Sequence, residues 1–164
     1  MNELLKKRKK GFTLIELIAV IAIIGILAAV LVPKVIGYLD DAKRSKVVAQ
    51  ARQVVMAYEA YCGKSGEALS EDSKISTLDG KLTGDAFKDL KEDISVGKLD
   101  MIDSSKRDTI TIADCRTATD GKKRTIGDDG SVTVDDTTKV YVKLNAKKQW
   151  QGEFDTTTTT QPEE

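Results

Sequence analysis

The stretch Phe12-Thr13-Leu14-Ile15-Glu16-Leu17-Ile18-Ala19-Val20-Ile21-Ala22-Ile23-Ile24-Gly25-Ile26-Leu27-Ala28-Ala29-Val30-Leu31-Val32 decides the fold of this chain. Its length matches the ~20 apolar residues that a helix needs to cross a bilayer, whereas a secretory signal peptide has only about 7–15. The sequence therefore predicts a membrane-spanning helix over 12–33. An ordinary signal peptide cut near Ala29 is the alternative.

Glu16 is the one charged residue within this apolar stretch. A carboxylate at membrane depth costs roughly 2.5 kcal/mol or more unless another group neutralises it. We therefore expect Glu16 to have a partner. In the simpler alternative, Glu16 lies near the lipid headgroups of a plain signal anchor and reaches water.

Charge is unevenly distributed along the 164 residues, although the chain as a whole has a formal net charge of zero. Residues 1–11 hold Glu3 and five basic residues: Lys6, Lys7, Arg8, Lys9 and Lys10. Basic residues beside an apolar segment are typical of its cytoplasmic flank, so the long polar remainder is expected outside the membrane. That remainder carries a net negative charge, and nucleic acid is not an expected partner.

The residues Gly11-Phe12-Thr13-Leu14-Ile15-Glu16 resemble the prepilin cleavage motif of type IV pilins and the related pseudopilins. In this family a membrane peptidase cuts after the glycine and methylates the new N-terminal residue. The resemblance implies that residues 1–11 are a leader, that the Gly11–Phe12 bond is cut, and that Phe12 becomes N-methylated. The resemblance covers about the first quarter of the chain.

The resemblance also assigns roles within the helix. Glu16 matches the family glutamate that neutralises the N-terminal ammonium of an adjacent subunit, so Phe12 and Glu16 are expected to direct assembly. In the uncut precursor that ammonium does not exist, and Glu16 has no obvious partner. Gly25 and Pro33 match a glycine and a helix-softening proline of many family members. Pro33 either loosens the helix or marks the membrane boundary.

These residues predict a structural subunit of a type IV pilus, held in the cytoplasmic membrane as a precursor and extracellular once assembled. The implied partners are other copies in a homopolymer, the prepilin peptidase and methyltransferase, the inner or cytoplasmic membrane, and the pilus assembly machinery. A pseudopilin of type II secretion or competence is one alternative. A monomeric, signal-anchored extracellular binding domain that keeps residues 1–11 is another.

Beyond Pro33 the helix is predicted to continue over 34–62 as an amphipathic half. Its apolar residues recur at spacings of three and four, as on one face of a helix. They are Val47, Ala51, Val54, Tyr58 and Tyr61, with Val48, Val55 and Cys62 beside them. Gly63 and Gly66 are expected to end the helix.

Residues 63–154 are predicted to form an α+β head, in which a small antiparallel sheet packs on the amphipathic half of the long helix. Alternating apolar residues predict strands at 109–112, 131–134 and 140–144. Turns are expected at Asp120-Gly121, Asp129-Gly130 and Asp136-Thr137. Residues 155–164, rich in threonine, are predicted to be a disordered tail.

Two cysteines, Cys62 and Cys115, are present. In an extracytoplasmic domain they are expected to form a disulfide, and two reduced core cysteines are the alternative. The chain has no histidine, no Cys-x-x-Cys pair and no phosphate-binding glycine loop, so the sequence predicts neither an enzyme nor a cofactor. Calcium binding by Asp128, Asp129, Asp135 and Asp136 is an alternative, but turn formation explains this acidic cluster more simply. No metal is predicted.

Overall fold

The computed structural model describes residues 11–129 and 131–157. Helix α1 spans Leu14–Ser65 and includes Pro33, so the membrane-length stretch and the amphipathic half belong to one helix. The chain divides into two compact units between Leu39 and Asp40. Apart from Gly11, the predicted leader lies outside the described residues.

In the first unit, every described residue from 11 to 39 is exposed. These residues include a long series of leucines, isoleucines and valines, and the segment is long and apolar enough to cross a membrane. Soluble proteins rarely expose a continuous apolar surface of this size. Lipid or other apolar helices therefore have to cover it.

The second unit begins with the part of α1 that carries a buried face. Side chains on that face are spaced by three or four residues, as the sequence predicts. They are Val47, Gln50, Ala51, Val54, Ala57 and Tyr61. Tyr58, Val48 and Val55 are partly buried beside them. Ala57 therefore lies deeper than Tyr58, whose hydroxyl donates to the carbonyl of Leu69 at 2.6 Å.

Three short helices follow in the head: α2 at Ile75–Lys81, α3 at Lys88–Asp93 and α4 at Ile112–Asp120. The predicted strand at 109–112 is wrong, because Thr111 caps α4. The Thr111 side chain accepts from the Asp114 N–H, and the Asp114 carboxylate accepts from the Thr111 N–H, which is a capping box. Gly121, with φ of 72°, ends α4. The turn predicted at Asp120-Gly121 is therefore the C-terminal end of this helix.

An antiparallel sheet has the order β1-β2-β3, with β1 at Lys122–Ile126, β2 at Val132–Leu144 and β3 at Trp150–Thr157. This confirms the predicted fold class, a long N-terminal helix with a small antiparallel sheet. The predicted strands at 131–134 and 140–144 are two parts of β2. An irregularity separates them: β1 pairs with β2 from 132 to 135, and the register then jumps to Lys122↔Lys139.

The turn predicted at Asp136-Thr137 is this irregularity in β2 and does not reverse the chain. The Asp135 carboxylate accepts from the Thr137 N–H at 2.8 Å and from the Thr137 hydroxyl at 2.6 Å. Aspartate commonly bonds to the backbone two residues onward in this way. The bond takes 136–138 out of regular pairing, and β3 pairs only with the part of β2 beyond it.

The disordered tail predicted from residue 155 onward starts too early, because β3 extends to Thr157. Asp155 and Thr156 pair with Tyr141 and Val140 of β2, so residues 155–157 belong to the sheet. The rest of the predicted tail lies outside the described residues. Trp150, at the start of β3, is fully buried and its indole N–H donates to the Glu153 carbonyl at 3.0 Å.

In residues 122–129 and 131–135, which we call the arm, β1 pairs with the first part of β2, and none of these residues belongs to the hydrophobic core. None of its described residues is buried. Three of the five residues of β1 are basic, namely Lys122, Lys123 and Arg124. Lys122 pairs with Asp136 at 2.6 Å, and Arg124 with Asp120 at 2.6 Å. The arm is therefore attached to the head at its base, and its far half makes no core contact.

Candidate assembly site

The start of α1 brings Thr13 and Glu16 together. The Thr13 N–H donates to Oε2 of Glu16 at 2.8 Å, and the Thr13 hydroxyl donates to the same oxygen at 2.7 Å. In return, the Glu16 N–H donates to the Thr13 hydroxyl oxygen at 3.3 Å. This is the reciprocal geometry of a capping box, and it places a carboxylate at the positive end of the helix dipole.

The expectation that Glu16 lacks a partner in the uncut chain is therefore wrong. Thr13 supplies two hydrogen bonds from within the same chain. The signal was present in the sequence as Thr13-x-x-Glu16, a capping-box pattern directly before an apolar run. Both donors go to Oε2, and Oε1 accepts no hydrogen bond from any residue that the structure describes. One carboxylate oxygen thus remains available to a further partner.

Gly11 and Phe12 lie just before the helix and are exposed. A Cβ added at Gly11 would meet nothing within 4 Å, and the same is true of Gly25. Neither glycine is required by packing inside this chain. Gly25 and Pro33 both lie within α1, in the unit whose described residues are all exposed.

A separate polar network in the second unit fixes the head to α1. The Gln50 side-chain amide donates to the Lys98 carbonyl at 2.9 Å and to the Asp100 carboxylate, and its oxygen accepts from the Met101 N–H at 2.9 Å. Lys46 also pairs with Asp100 at 2.8 Å. Hydrogen bonds from Lys46 and then Gln50 lower the pKa of Asp100 below its ordinary value. Because Gln50 is buried, its amide needs these partners.

The two cysteines are free in the structure, in contrast to the predicted Cys62–Cys115 disulfide. Cys115 lies on the buried face of α4, fully inaccessible, and burial raises the pKa of its thiol well above the ordinary value. Cys62 is partly buried near the end of α1. A free cysteine packs as a small apolar side chain, which accounts for Cys115 in the core.

Within 11–129 and 131–157, no three His, Cys, Asp or Glu side chains are grouped so that they could hold a metal ion. Three residues of the acidic cluster have other contacts. Asp135 accepts from Thr137, Asp136 pairs with Lys122, and Asp129 accepts from the Ser131 N–H at 2.9 Å. Turn and ion-pair roles thus account for these three residues.

Comparison with known proteins finds one matching family model and several similar proteins. A family model described as the prokaryotic N-terminal methylation motif matches residues 6–32. The type IV major fimbrial protein FimA of Dichelobacter nodosus is 40% identical over 82 residues, which are 48% of this chain and 53% of that protein. A fimbrial protein of Pseudomonas aeruginosa is 32% identical over 123 residues, 74% of this chain and 70% of the relative.

The type II secretion system core protein G of Klebsiella michiganensis is also similar, with 41% identity over 56 residues, 34% of this chain and 39% of that protein. No solved structure matches the chain.

The capped apolar helix and the motif match define a protein with a prokaryotic N-terminal methylation motif on a membrane-length helix. The fimbrial relatives extend the similarity beyond that helix into the head. The chain belongs to the type IV pilin family.

Proposed function

We propose that this chain is a structural subunit of a type IV pilus, made as a membrane precursor and assembled into a surface filament. The observation that carries the proposal is the Thr13–Glu16 box at the start of a wholly exposed apolar half-helix. A hydrophobic surface of this length can be covered by lipid before assembly and by the same helices of other copies afterwards.

Processing at Gly11–Phe12 would create the group that Glu16 is positioned to bind. Cleavage leaves an ammonium at Phe12, which the peptidase then methylates. In an apolar environment, an ammonium and a carboxylate each relieve the other's desolvation cost. With Oε2 bonded to Thr13, Oε1 of Glu16 is the oxygen that remains for the ammonium of a neighbouring copy. Assembly thus depends on prior cleavage.

The partners follow from this sequence of steps. The prepilin peptidase and methyltransferase acts on Gly11 and Phe12, and the pilus assembly machinery adds the processed subunit to the filament. The exposed glycine at the cut, with open space around its Cα, gives the enzyme access to the backbone. Gly25 and Pro33 would let the helix adjust as copies pack together.

A pseudopilin of type II secretion is the second candidate. The similarity to the Klebsiella core protein G favours it. The two candidates share the N-terminal site and differ in what the cell loses without the chain. Loss of surface filaments with unchanged protein secretion would identify a pilus subunit, and loss of secretion would identify a pseudopilin.

The proposal is tested by intact-mass and N-terminal peptide mass spectrometry on material sheared from the cell surface. We expect chains that begin at methylated Phe12. A Gly11→Val variant should remain uncut in the membrane, while Gly97→Val, at another glycine with open space around its Cα, should be processed normally. Chains that keep residues 1–11 and occur only in membranes would contradict the proposal and favour a signal-anchored binding domain.

A further inference from the structure

The arm carries a short stripe of partly exposed apolar side chains on one face. Ile126 pairs with Val132 and Arg124 pairs with Val134, so these four side chains lie on one face of the hairpin. Val132 is 37% exposed and Val134 is 42% exposed. At the tip, Asp128 and Asp129 make no ion pair with another described residue. The stripe therefore ends in two unbalanced negative charges.

A surface with a positive charge lies on α1. Met56 is 59% exposed, and Arg52 lies one turn earlier on the same face. Ala49 and Gln53, both exposed, adjoin them. This patch, which we call the helix patch, combines one large exposed apolar side chain, Met56, with the positive charge of Arg52.

Arg52 differs from the other charged residues on this part of the helix. Lys46 pairs with Asp100 at 2.8 Å and Glu59 with Arg116 at 2.9 Å. Arg52 pairs with no residue in the described ranges. The unpaired positive charge of the helix patch thus complements the unpaired negative charge of the arm tip, and an apolar side chain accompanies each.

We propose that the arm of one copy docks on the helix patch of a second copy within the filament. The two surfaces are different parts of the same chain, so the contact is head-to-tail and continues from copy to copy, as an open helical polymer requires. The inference rests on the proposed filament function.

Because the stripe is small, it is suited to bind a copy that other contacts already hold nearby. A few partly exposed aliphatic side chains cannot offset the freedom that two unattached proteins lose on binding. Subunits joined through their N-terminal helices meet at high effective concentration, at which a weak contact is enough. A second copy in the filament therefore fits the arm better than a separate protein.

Charge exchange tests the contact. Asp128→Lys should place like charges together and lower the amount of sheared filament about tenfold, and Arg52→Glu should do the same. The combined variant, with both charges exchanged, should recover most of the filament. Because none of these side chains is buried, circular dichroism should be unchanged. Wild-type assembly by both single-site variants would overturn the contact.

Cross-linking supplies a second readout. In a Cys62→Ser, Cys115→Ala background, cells would make Val132→Cys and Met56→Cys on separate chains. Oxidised filaments should contain disulfide-linked dimers. Thr125→Cys, on the opposite face of the arm, replaces Val132→Cys in the control and should give none. Filaments that begin at methylated Phe12 but yield no such dimers would overturn the arm contact and leave the proposed function intact. Absence of filaments from the wild-type chain would overturn both.

Discussion

At the scale of single residues, Thr13 and Glu16 serve two needs with the same three hydrogen bonds. The box satisfies backbone N–H groups that the first turn of a helix otherwise leaves without partners. It also fixes the carboxylate close to Phe12, where the proposed mature N-terminus lies. A residue that caps the helix is therefore also the residue that orients the proposed assembly glutamate.

Thr13→Val tests this positioning role. The variant keeps the backbone N–H that donates to Glu16 and loses the hydroxyl that donates at 2.7 Å. Removing an N-cap hydroxyl typically costs about 1 kcal/mol. We expect normal cleavage at Gly11–Phe12 with a clear loss of sheared filament, measured by mass spectrometry and by filament yield.

Thr13→Ser is the matched control, since it restores the hydroxyl without the methyl group, and its filament yield should approach that of the wild type. Equal yields from the valine and serine variants would contradict a positioning role for the hydroxyl.

The cysteines give a second prediction at this scale. A thiol reagent should modify Cys62 in the folded, detergent-solubilised protein, and Cys115 only after unfolding, because Cys115 is fully buried with a raised thiol pKa. Cys62→Ser should abolish the reaction of the folded protein. If purification without reductant yields no reactive thiol even in denaturant, the disulfide predicted from the sequence is formed.

At the scale of secondary-structure elements, prediction from the sequence succeeds best where one strong hydrophobic periodicity continues over many residues. The apolar run and the three-to-four spacing of Val47, Ala51 and Val54 locate both halves of α1. The isoleucines at 110 and 112 mislead, because both are buried on either side of a helix cap and mimic strand alternation. Local hydrogen bonding by Thr111 and Asp114 decides that segment.

Strand β1 is not predictable from its own sequence. Lys122-Lys123-Arg124-Thr125-Ile126 has no buried residue, so neither burial nor β-propensity distinguishes it from a loop. Pairing with Val132–Asp135 creates the strand, and such long-range pairing is not written in the local sequence. At the candidate site, Gly11, Phe12 and Glu16 were found through a resemblance, while the role of Thr13 needed the geometry of the box.

The junction between α1 and the head depends on Gln50. Gln50→Leu would leave the Met101 N–H without its acceptor and the Lys98 carbonyl without its donor. An unsatisfied buried group costs about 1–3 kcal/mol, so we expect the free energy of unfolding to fall by about that amount. Urea denaturation of the detergent-solubilised chain measures the change.

Gln53→Leu is the control for this prediction, because Gln53 lies on the exposed face of the same helix. Its midpoint should differ little from that of the wild type. If both variants lose the same stability, Gln50 has no special role at the junction.

At the scale of the whole molecule, the hydrophobic core lies entirely in the second unit. Its members run from Val47 to Trp150, and none comes from residues 11 to 39. Residues 11–39 therefore present an apolar surface for lipid or neighbouring copies.

A chain that starts at Asp40 should consequently fold without detergent and unfold cooperatively, as followed by circular dichroism during heating. A chain that starts at Val55 lacks three core residues, Val47, Ala51 and Val54, and should not fold. Aggregation of the Asp40 chain with no cooperative transition would contradict the independence of the head.

The basic composition of β1 has a consequence for a protein that concentrates in a membrane and polymerises. β1 is an edge strand, with β2 on one side and no strand of the described chain on the other. Open edges of this kind recruit strands from other molecules and start amyloid-like aggregates, and lysines along the edge discourage that pairing. Lys122, Lys123 and Arg124 are therefore expected to discourage strand-to-strand pairing between the β1 edges of neighbouring copies.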